Sequence, residues 1–135
     1  MVKKYKIVVK GILKSQDKFL LVEKWYDDNI ANPYQWEFID GVVNFGESPD
    51  DAVLRIMEEQ TGLVADVDHI AYTWTYMVGD VCNLGIAYVC STGLVGGDIV
   101  LSENLNAYEF VPAEQLDTYI TNQQMLKDLR NAEII

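Results

Sequence analysis

Ser48-Pro49-Asp50-Asp51 and Gly62 bracket a stretch with clear helix start and stop signals. Ser48 is a good N-cap, Pro49 has its φ preset for the first helical position, and Asp50 and Asp51 face the positive end of the helix dipole. Asp51 also stands three residues past Ser48, the capping-box position. Gly62 supplies the left-handed residue on which helices commonly end, so the spacing predicts a helix from Pro49 to about Thr61. The segments on both sides are β-like, and a chain of this kind must pack its helix on a sheet.

Tyr5 to Leu13 and Lys18 to Glu23 are rich in Ile, Val, Leu and Phe, and Ser15-Gln16-Asp17 between them carries turn chemistry, which predicts a hairpin. Trp25 to Gln35 holds Asp, Asn and Pro without periodicity and reads as an exposed loop, followed by short strands at Trp36 to Phe38 and Gly41 to Val43. Val64 to Val78 and Val81 to Cys90 form two long β-like runs meeting at Gly79-Asp80, with Tyr72, Trp74 and Tyr76 on one strand face. Gly93 to Asp98 is glycine-rich but lacks the strand-then-helix setting of a phosphate-binding loop and reads as a simple connection. Tyr108 to Val111 is expected as a last strand, Pro112 opens a short helix toward Leu116, and Asn122 to Asn131 forms a final helix with Met125, Leu126 and Leu129 on one face. The sum is an α+β sandwich with a mixed sheet covered on both sides. With 135 residues, half of them apolar, residues 1–135 are expected to share one core as a single domain.

The most informative segment is Trp36 to Leu63, WEFIDGVVNFGESPDDAVLRIMEEQTGL. It resembles, without a gap, the box of the Nudix hydrolase family, G-x5-E-x7-R-E-U-x-E-E-x-G-U with U apolar. Gly41, Glu47, Arg55, Met57, Glu59, Gly62 and Leu63 fall on the pattern, and SENLNAYEFVPAEQL near the end looks like the family's closing strand and helix. The resemblance implies a Nudix-type α/β/α sandwich and Mg²⁺-dependent hydrolysis of the pyrophosphate bond in a nucleoside diphosphate linked to another moiety. It implies Glu59, Arg55 and Glu47 as the catalytic set. Glu59, Gln60 and a backbone carbonyl near Gly41 would be the metal ligands. Gly41, with the loop aromatics Trp25 and Tyr26, would contact substrate, although those rings fit plain packing equally well.

Physical chemistry explains why the box needs carboxylates where it has them. On a helix, residues 56, 59 and 60 stand at i, i+3 and i+4 and share one face, and three carboxylates there would offer a hard divalent cation the oxygen ligands it prefers. Here the three positions read Ile56, Glu59 and Gln60, so the formal charge of that face falls from −3 to −1 and metal affinity should fall with it. Ile39-Asp40 replaces the usual Pro-Gly before the box glycine, and Ala107 stands where many members carry another glutamate. Glu58 lies ~100° around the helix from Glu59, off that face. Glu103 and Glu109 come from elsewhere in the fold and are the other acids that could reach the cleft. Three functions follow: a weak Mg²⁺-dependent hydrolase, a nucleotide-binding or regulatory protein that does not hydrolyse, and a structural dimerisation module.

Bland alternatives accompany these assignments. Arg55 and Glu59 at i, i+4 also fit a helix-surface ion pair of ~0.3–0.5 kcal/mol, and Glu47 an acid near a helix N-terminus. Tyr72, Trp74 and Tyr76 fit a core or homodimer contact better than a ligand cage. His69, the only histidine, has no partner acid or nucleophile in the sequence.

Twenty-one acidic against ten basic side chains give a net charge of −11, which repels nucleic acid and anionic lipid, so the expected partner is a small nucleotide derivative. No run of ~18 uncharged apolar residues suggests a membrane span, and the apolar run at Ile7 to Leu13 is broken by Lys10 and leads to no export cleavage site. Cys82 and Cys90, ~26 Å apart if extended, are too distant for a bridge, which fits a reducing, cytoplasmic location.

Overall fold

The computed structural model describes residues 3–25, 34–93 and 99–135. Strands β1 (Lys4–Ser15) and β2 (Lys18–Lys24) form the first hairpin. Gln16 and Asp17 both take positive φ, 50° and 64°, the left-handed pair that a two-residue turn needs to match the twist of its strands. Then come β3 (Trp36–Glu37), β4 (Ile39–Val42), α1 (Pro49–Thr61), β5 (Asp66–Val78), β6 (Val81–Ser91) and β7 (Leu105–Pro112), and after a 3₁₀ turn at Ala113–Gln115, α2 (Leu116–Tyr119) and α3 (Gln123–Asn131). β7 starts earlier than the sequence suggested because Leu105 and Ala107 extend the ladder opposite Lys24 and Glu23, across a bulge that local patterning does not reveal. Residues 94–98 of the glycine-rich connection and residues 26–33 of the loop before Trp36 lie outside the described residues.

Among the described residues the sheet runs β3-β2-β1-β6-β5, with β4 pairing β1 and β7 pairing β2. β1 and β6 run parallel, whereas the other pairs are antiparallel, so the sheet is mixed. Alternation along the strands divides the apolar residues between two cores: Val9, Leu13, Leu20 and Val22 meet α1, while Ile12, Phe19 and Leu21 meet α2 and α3. The expected layering of helices on both faces of a mixed sheet is what the fold shows. No helix among the described residues is long and apolar enough to cross a membrane. Both cysteines are free, Cys90 buried and Cys82 half-buried.

α1 is built as its sequence dictates. Ser48 Oγ accepts from Asp51 N at 3.4 Å, and Gly62 closes the helix at φ 75° with its N–H donating to Glu58 O at 2.8 Å. Ala52, Val53, Ile56 and Met57 form its buried stripe. The last turn is tied down as well. Thr61 Oγ1 donates to Met57 O, and the N–H groups of Val100 and Ser102 donate to Thr61 O and Gln60 O, so helix-end carbonyls that would otherwise lack partners are satisfied.

The helix packs directly on two glycines of the sheet. A Cβ on Gly11 would come within 2.8 Å of Met57 Cε, and one on Gly41 within 2.6 Å of Ile56 Cδ1, so a larger residue at either strand position would make these two side chains of α1 repack. Met57→Ala, which empties the fully buried slot above Gly11, is expected to cost about 3 kcal/mol in chemical denaturation with the m-value unchanged.

Candidate functional site

Arg55 is the hub of the solvent-facing side of α1. Its Nε donates to Glu47 Oε2 at 2.8 Å and its Nη2 to Glu47 Oε1 at 2.9 Å, a bidentate fork, while Nη2 also reaches Val42 O at 3.0 Å and Nη1 reaches Glu59 Oε2 at 3.2 Å. Glu47 in turn accepts from Asn44 N at 3.1 Å. The Arg55 guanidinium, and after it the Asn44 N–H, hold the Glu47 carboxyl below the usual carboxylate range. The segment from Val42 to Glu47 is thereby clamped to the helix, and three sequence-derived site residues, Arg55, Glu47 and Glu59, are brought together.

The neighbouring face, where the resemblance implies a metal, is built differently. Ile56 is 3% exposed and packs on the backbone of Gly41. Gln60 Nε2 donates to Asp40 O at 2.9 Å, turning the amide nitrogen toward the loop carbonyl that would otherwise face a cation. Glu59 is the one anionic donor, and Arg55 already pairs with it. Glu103 and Glu109 are exposed, and no group of three or more His, Cys, Asp or Glu side chains among the described residues could hold an ion. A hard dication needs several oxygen ligands with compensating charge, and this donor set does not fit one. The isoleucine side chain fills the angle between helix and loop that a carboxylate would have to occupy.

On the opposite face of β1 a pocket of about 330 Å³ opens, lined in part by Lys10, Glu37, Asp40, Trp74, Tyr76 and Asp128. The strand register explains their meeting: Lys10 pairs with Asp40 on β4 and with Ala87 on β6, and Ala87 pairs with Tyr72 on β5. Trp74 lies flat over Gly85, where a Cβ would come within 2.5 Å of the indole, and its ring is parallel to that of Tyr76 with centroids 6.5 Å apart. The expected core contact holds for Tyr72 and Trp74, which pack against the core beside α2 and α3, while Trp74 and Tyr76 also form a wall of the pocket, where the bare backbone at Gly85 makes room for the indole. Of the other assigned residues, Trp25 is exposed and does not line this pocket, and Tyr26 lies outside the described residues.

Electrostatics mark the pocket as well. Lys24 bridges Glu37 at 2.5 Å and Asp40 at 2.9 Å, and although burial disfavours its charge, the two carboxylates more than compensate and raise its pKa. Glu37 is pushed up by burial and by Asp40. Lys10 is 5% exposed; its Nζ meets Tyr72 Oη at 3.2 Å and stands 4.3 Å from the Trp74 ring centroid. Burial lowers its pKa against the attraction of Asp40, Glu37 and Asp128. Burial, followed by Asp128, raises the Tyr72 hydroxyl. The aromatic face of β5 was visible in the sequence, whereas Lys10, Lys24, Glu37 and Asp128 were not singled out, and the signal for the first was a lysine inside the apolar run of β1.

A family model described as a NUDIX domain matches residues 4–129. An ADP-ribose pyrophosphatase of Methanocaldococcus jannaschii is 25% identical over 125 residues, 90% of this chain and 71% of that protein. Among solved structures, a MutT protein from Methanosarcina mazei Go1 aligns with a TM-score of 0.78 at 24% identity, covering 98% of this chain and 96% of that one. An Ap4A hydrolase from C. elegans, solved as a binary complex, aligns with a TM-score of 0.74 at 17% identity over 94% and 93%.

The buried ammonium makes a prediction about stability. Lys10→Met keeps the length and apolar packing of the side chain but removes a poorly solvated charge, and it is expected to stabilise by about 1 kcal/mol, roughly 4 °C in Tm. The pH dependence has a definite sign. The folded state holds the Lys10 proton less tightly than the unfolded chain does, so this residue adds stability as pH rises toward its ordinary value of 10.5. Thermal melts between pH 7 and 10 should show wild type closing the gap to the variant as pH increases; a constant gap would refute the assignment.

Proposed function

Because the chain belongs to the NUDIX family, we propose that it binds a small nucleotide derivative, a nucleoside diphosphate linked to another moiety, without hydrolysing its pyrophosphate bond. The observation that carries this is Ile56, buried against Gly41 at the position where the family box places a carboxylate. Replacing that carboxylate with an apolar side chain and the one at position 60 with an amide removes two of three charges from the face that would receive the ion. The pocket beside Lys10, with an aromatic wall of Trp74 and Tyr76 and a polar lining that includes Lys10, Glu37, Asp40 and Asp128, is the concave site we assign to the ligand. In this proposal Gly41 and its loop lie next to the bound diphosphate, Arg55 orients Glu59, and Glu47 fixes Arg55.

Slow hydrolysis remains the second reading, and a specific observation favours it: the Arg55 network with Glu47, Glu59 and the Val42 carbonyl is assembled in full. A panel of nucleotide sugars, ADP-ribose, dinucleoside polyphosphates and nucleoside triphosphates, assayed for turnover with and without Mg²⁺, separates the two. Thermal shift on the same panel tests binding, because a ligand at 100 times its Kd should stabilise the fold by about 2.7 kcal/mol. Neither turnover nor a shift would end both readings.

Restoring the box gives a sharper test. Ile56→Glu with Gln60→Glu is expected to raise Mg²⁺-dependent hydrolysis at least about tenfold, ~1.4 kcal/mol of barrier. The double variant should lose stability without metal, since a carboxylate then sits at a 3% exposed position, and Mg²⁺ should restore it. Wild-type Tm is expected to stay unmoved by Mg²⁺. Wild-type turnover that is already fast and gains nothing from the double substitution would contradict this account.

A further inference from the structure

We infer that the protein forms a two-fold homodimer in which the free edge of β5 pairs antiparallel with the same edge of a second copy, over Tyr72 to Val78 and centred on Thr75. The interface does not depend on which ligand the domain binds.

A strand at the end of a sheet presents a row of backbone N–H and C=O groups that only water or another strand can satisfy, and proteins protect such rows with short length, charge, proline or bulges. The edges of this sheet are protected unequally. β3 is two residues long and carries Glu37, β4 is four residues long and carries Asp40, and β7 carries Glu109 and ends at Pro112. β5 is thirteen residues long and, among the described residues, pairs with β6 alone. Its first half has the usual protection, Asp66 and Asp68 together with register shifts between Val67 and Tyr72. Its second half has none. From Ile70 to Gly79 there is neither a charged side chain nor a proline, the ladder to β6 runs without a shift from Tyr72 to Val78, and Tyr76, Met77 and Val78 are exposed.

The chemistry of that edge selects its occupant. Each copy carries a net charge of −11, so two copies meet at least cost where neither presents a carboxylate, and this stretch is such a place. In the register centred on Thr75, Thr75 faces the partner's Thr75, Trp74 the partner's Tyr76, Thr73 the partner's Met77 and Tyr72 the partner's Val78. These are threonine, aromatic and apolar cross-strand pairs, the kinds that stabilise a ladder, and Asp66, Asp68 and Asp80 stay beyond its ends. The same edge serves both copies, so the pairing closes on itself and leaves no place for a third. A ladder of this length is a small interface, below the ~1,600 Å² of a standard complex, so the dimer is expected to assemble in the micromolar range rather than to be permanent.

Sedimentation velocity on the whole chain across the micromolar range tests it. A monomer–dimer equilibrium is expected, and raising NaCl from about 0.05 to 0.5 M should tighten it by screening the repulsion between two acidic copies. Thr75, exposed on β5, is the position to change. Thr75→Lys places two ammoniums at the two-fold axis and is expected to raise the dimer Kd at least about tenfold, even though it lowers the net negative charge. Thr118→Lys, the same charge change at an exposed site on α2, should leave the dimer intact. Amide hydrogen exchange of the wild type locates the contact: residues 72–78 should slow as concentration rises. A chain that stays monomeric throughout overturns the proposal and leaves the edge to a strand of a different protein. A dimer that Thr75→Lys fails to weaken, or that slows exchange elsewhere but not on β5, overturns it as well. If Thr75→Lys does not fold, the wild-type exchange pattern decides.

Discussion

The contact between α1 and the two glycines beneath it governs the rest of the molecule. At Gly11 and Gly41 the strand backbone itself is the packing surface, and Met57 and Ile56 rest on it with no room for a Cβ. Close packing of this kind tolerates little displacement, so the helix is fixed in depth and in rotation. Its rotation decides that Arg55 points at Glu47 and the Val42 carbonyl, that Gln60 reaches the Asp40 carbonyl, and that Ile56 faces inward. The same β1–β4 ladder that brings Gly41 under the helix sends Asp40 to the other face, opposite Lys10. One short ladder thus serves both sides of the sheet.

Charge is distributed unevenly over this frame. The chain as a whole is strongly acidic, yet of its ten basic side chains Lys10 lines the pocket and Lys24 pairs with two of the pocket's carboxylates, Glu37 and Asp40. Lys24 is fully engaged by its two carboxylates, and the result is a locked triad. Lys10 lacks such compensation and relies on a tyrosine oxygen and an indole face, both weaker partners for an ion removed from water. The two buried lysines therefore differ in how closely their charge is matched, by two carboxylates at Lys24 and by a hydroxyl and an indole face at Lys10.

Much of the fold was legible because its signals are local. Ser48, Pro49 and Gly62 mark α1 to the residue, and the turn residues at Gln16-Asp17 and Gly79-Asp80 separate the long strands. The Arg55–Glu59 pair was legible from its i, i+4 spacing, and the role of Ile56 from its place in the box. The pocket was not legible for a physical reason. Lys10, Asp40 and Tyr72 are brought together by strand register across separations of 30 to 62 residues, and bulges in β5 shift which side chains face inward. Alternation puts Lys10 opposite Val9 on β1, but it does not say that aromatic rings from β5 lie above it. The β7 start was missed on the same grounds, since its first residues owe their strand conformation to β2.

Ile56 can be understood as a trade between two ways of filling one space. A carboxylate at that angle of helix and loop would be poorly solvated in the folded protein, and a divalent ion would be needed to hold its charge there. Isoleucine needs no ion: burying it on Gly41 contributes roughly 1.5–3 kcal/mol of apolar transfer and joins the helix to the core that already contains Val53 and Met57. Gln60 makes the same exchange in polar terms, giving up a charge for a hydrogen bond to the loop it would otherwise have faced across a cation. The two positions meet on one strand, β4, with Ile56 on the Gly41 backbone and Gln60 on the Asp40 carbonyl, so a carboxylate restored at one of them alone would still face a metal-free partner.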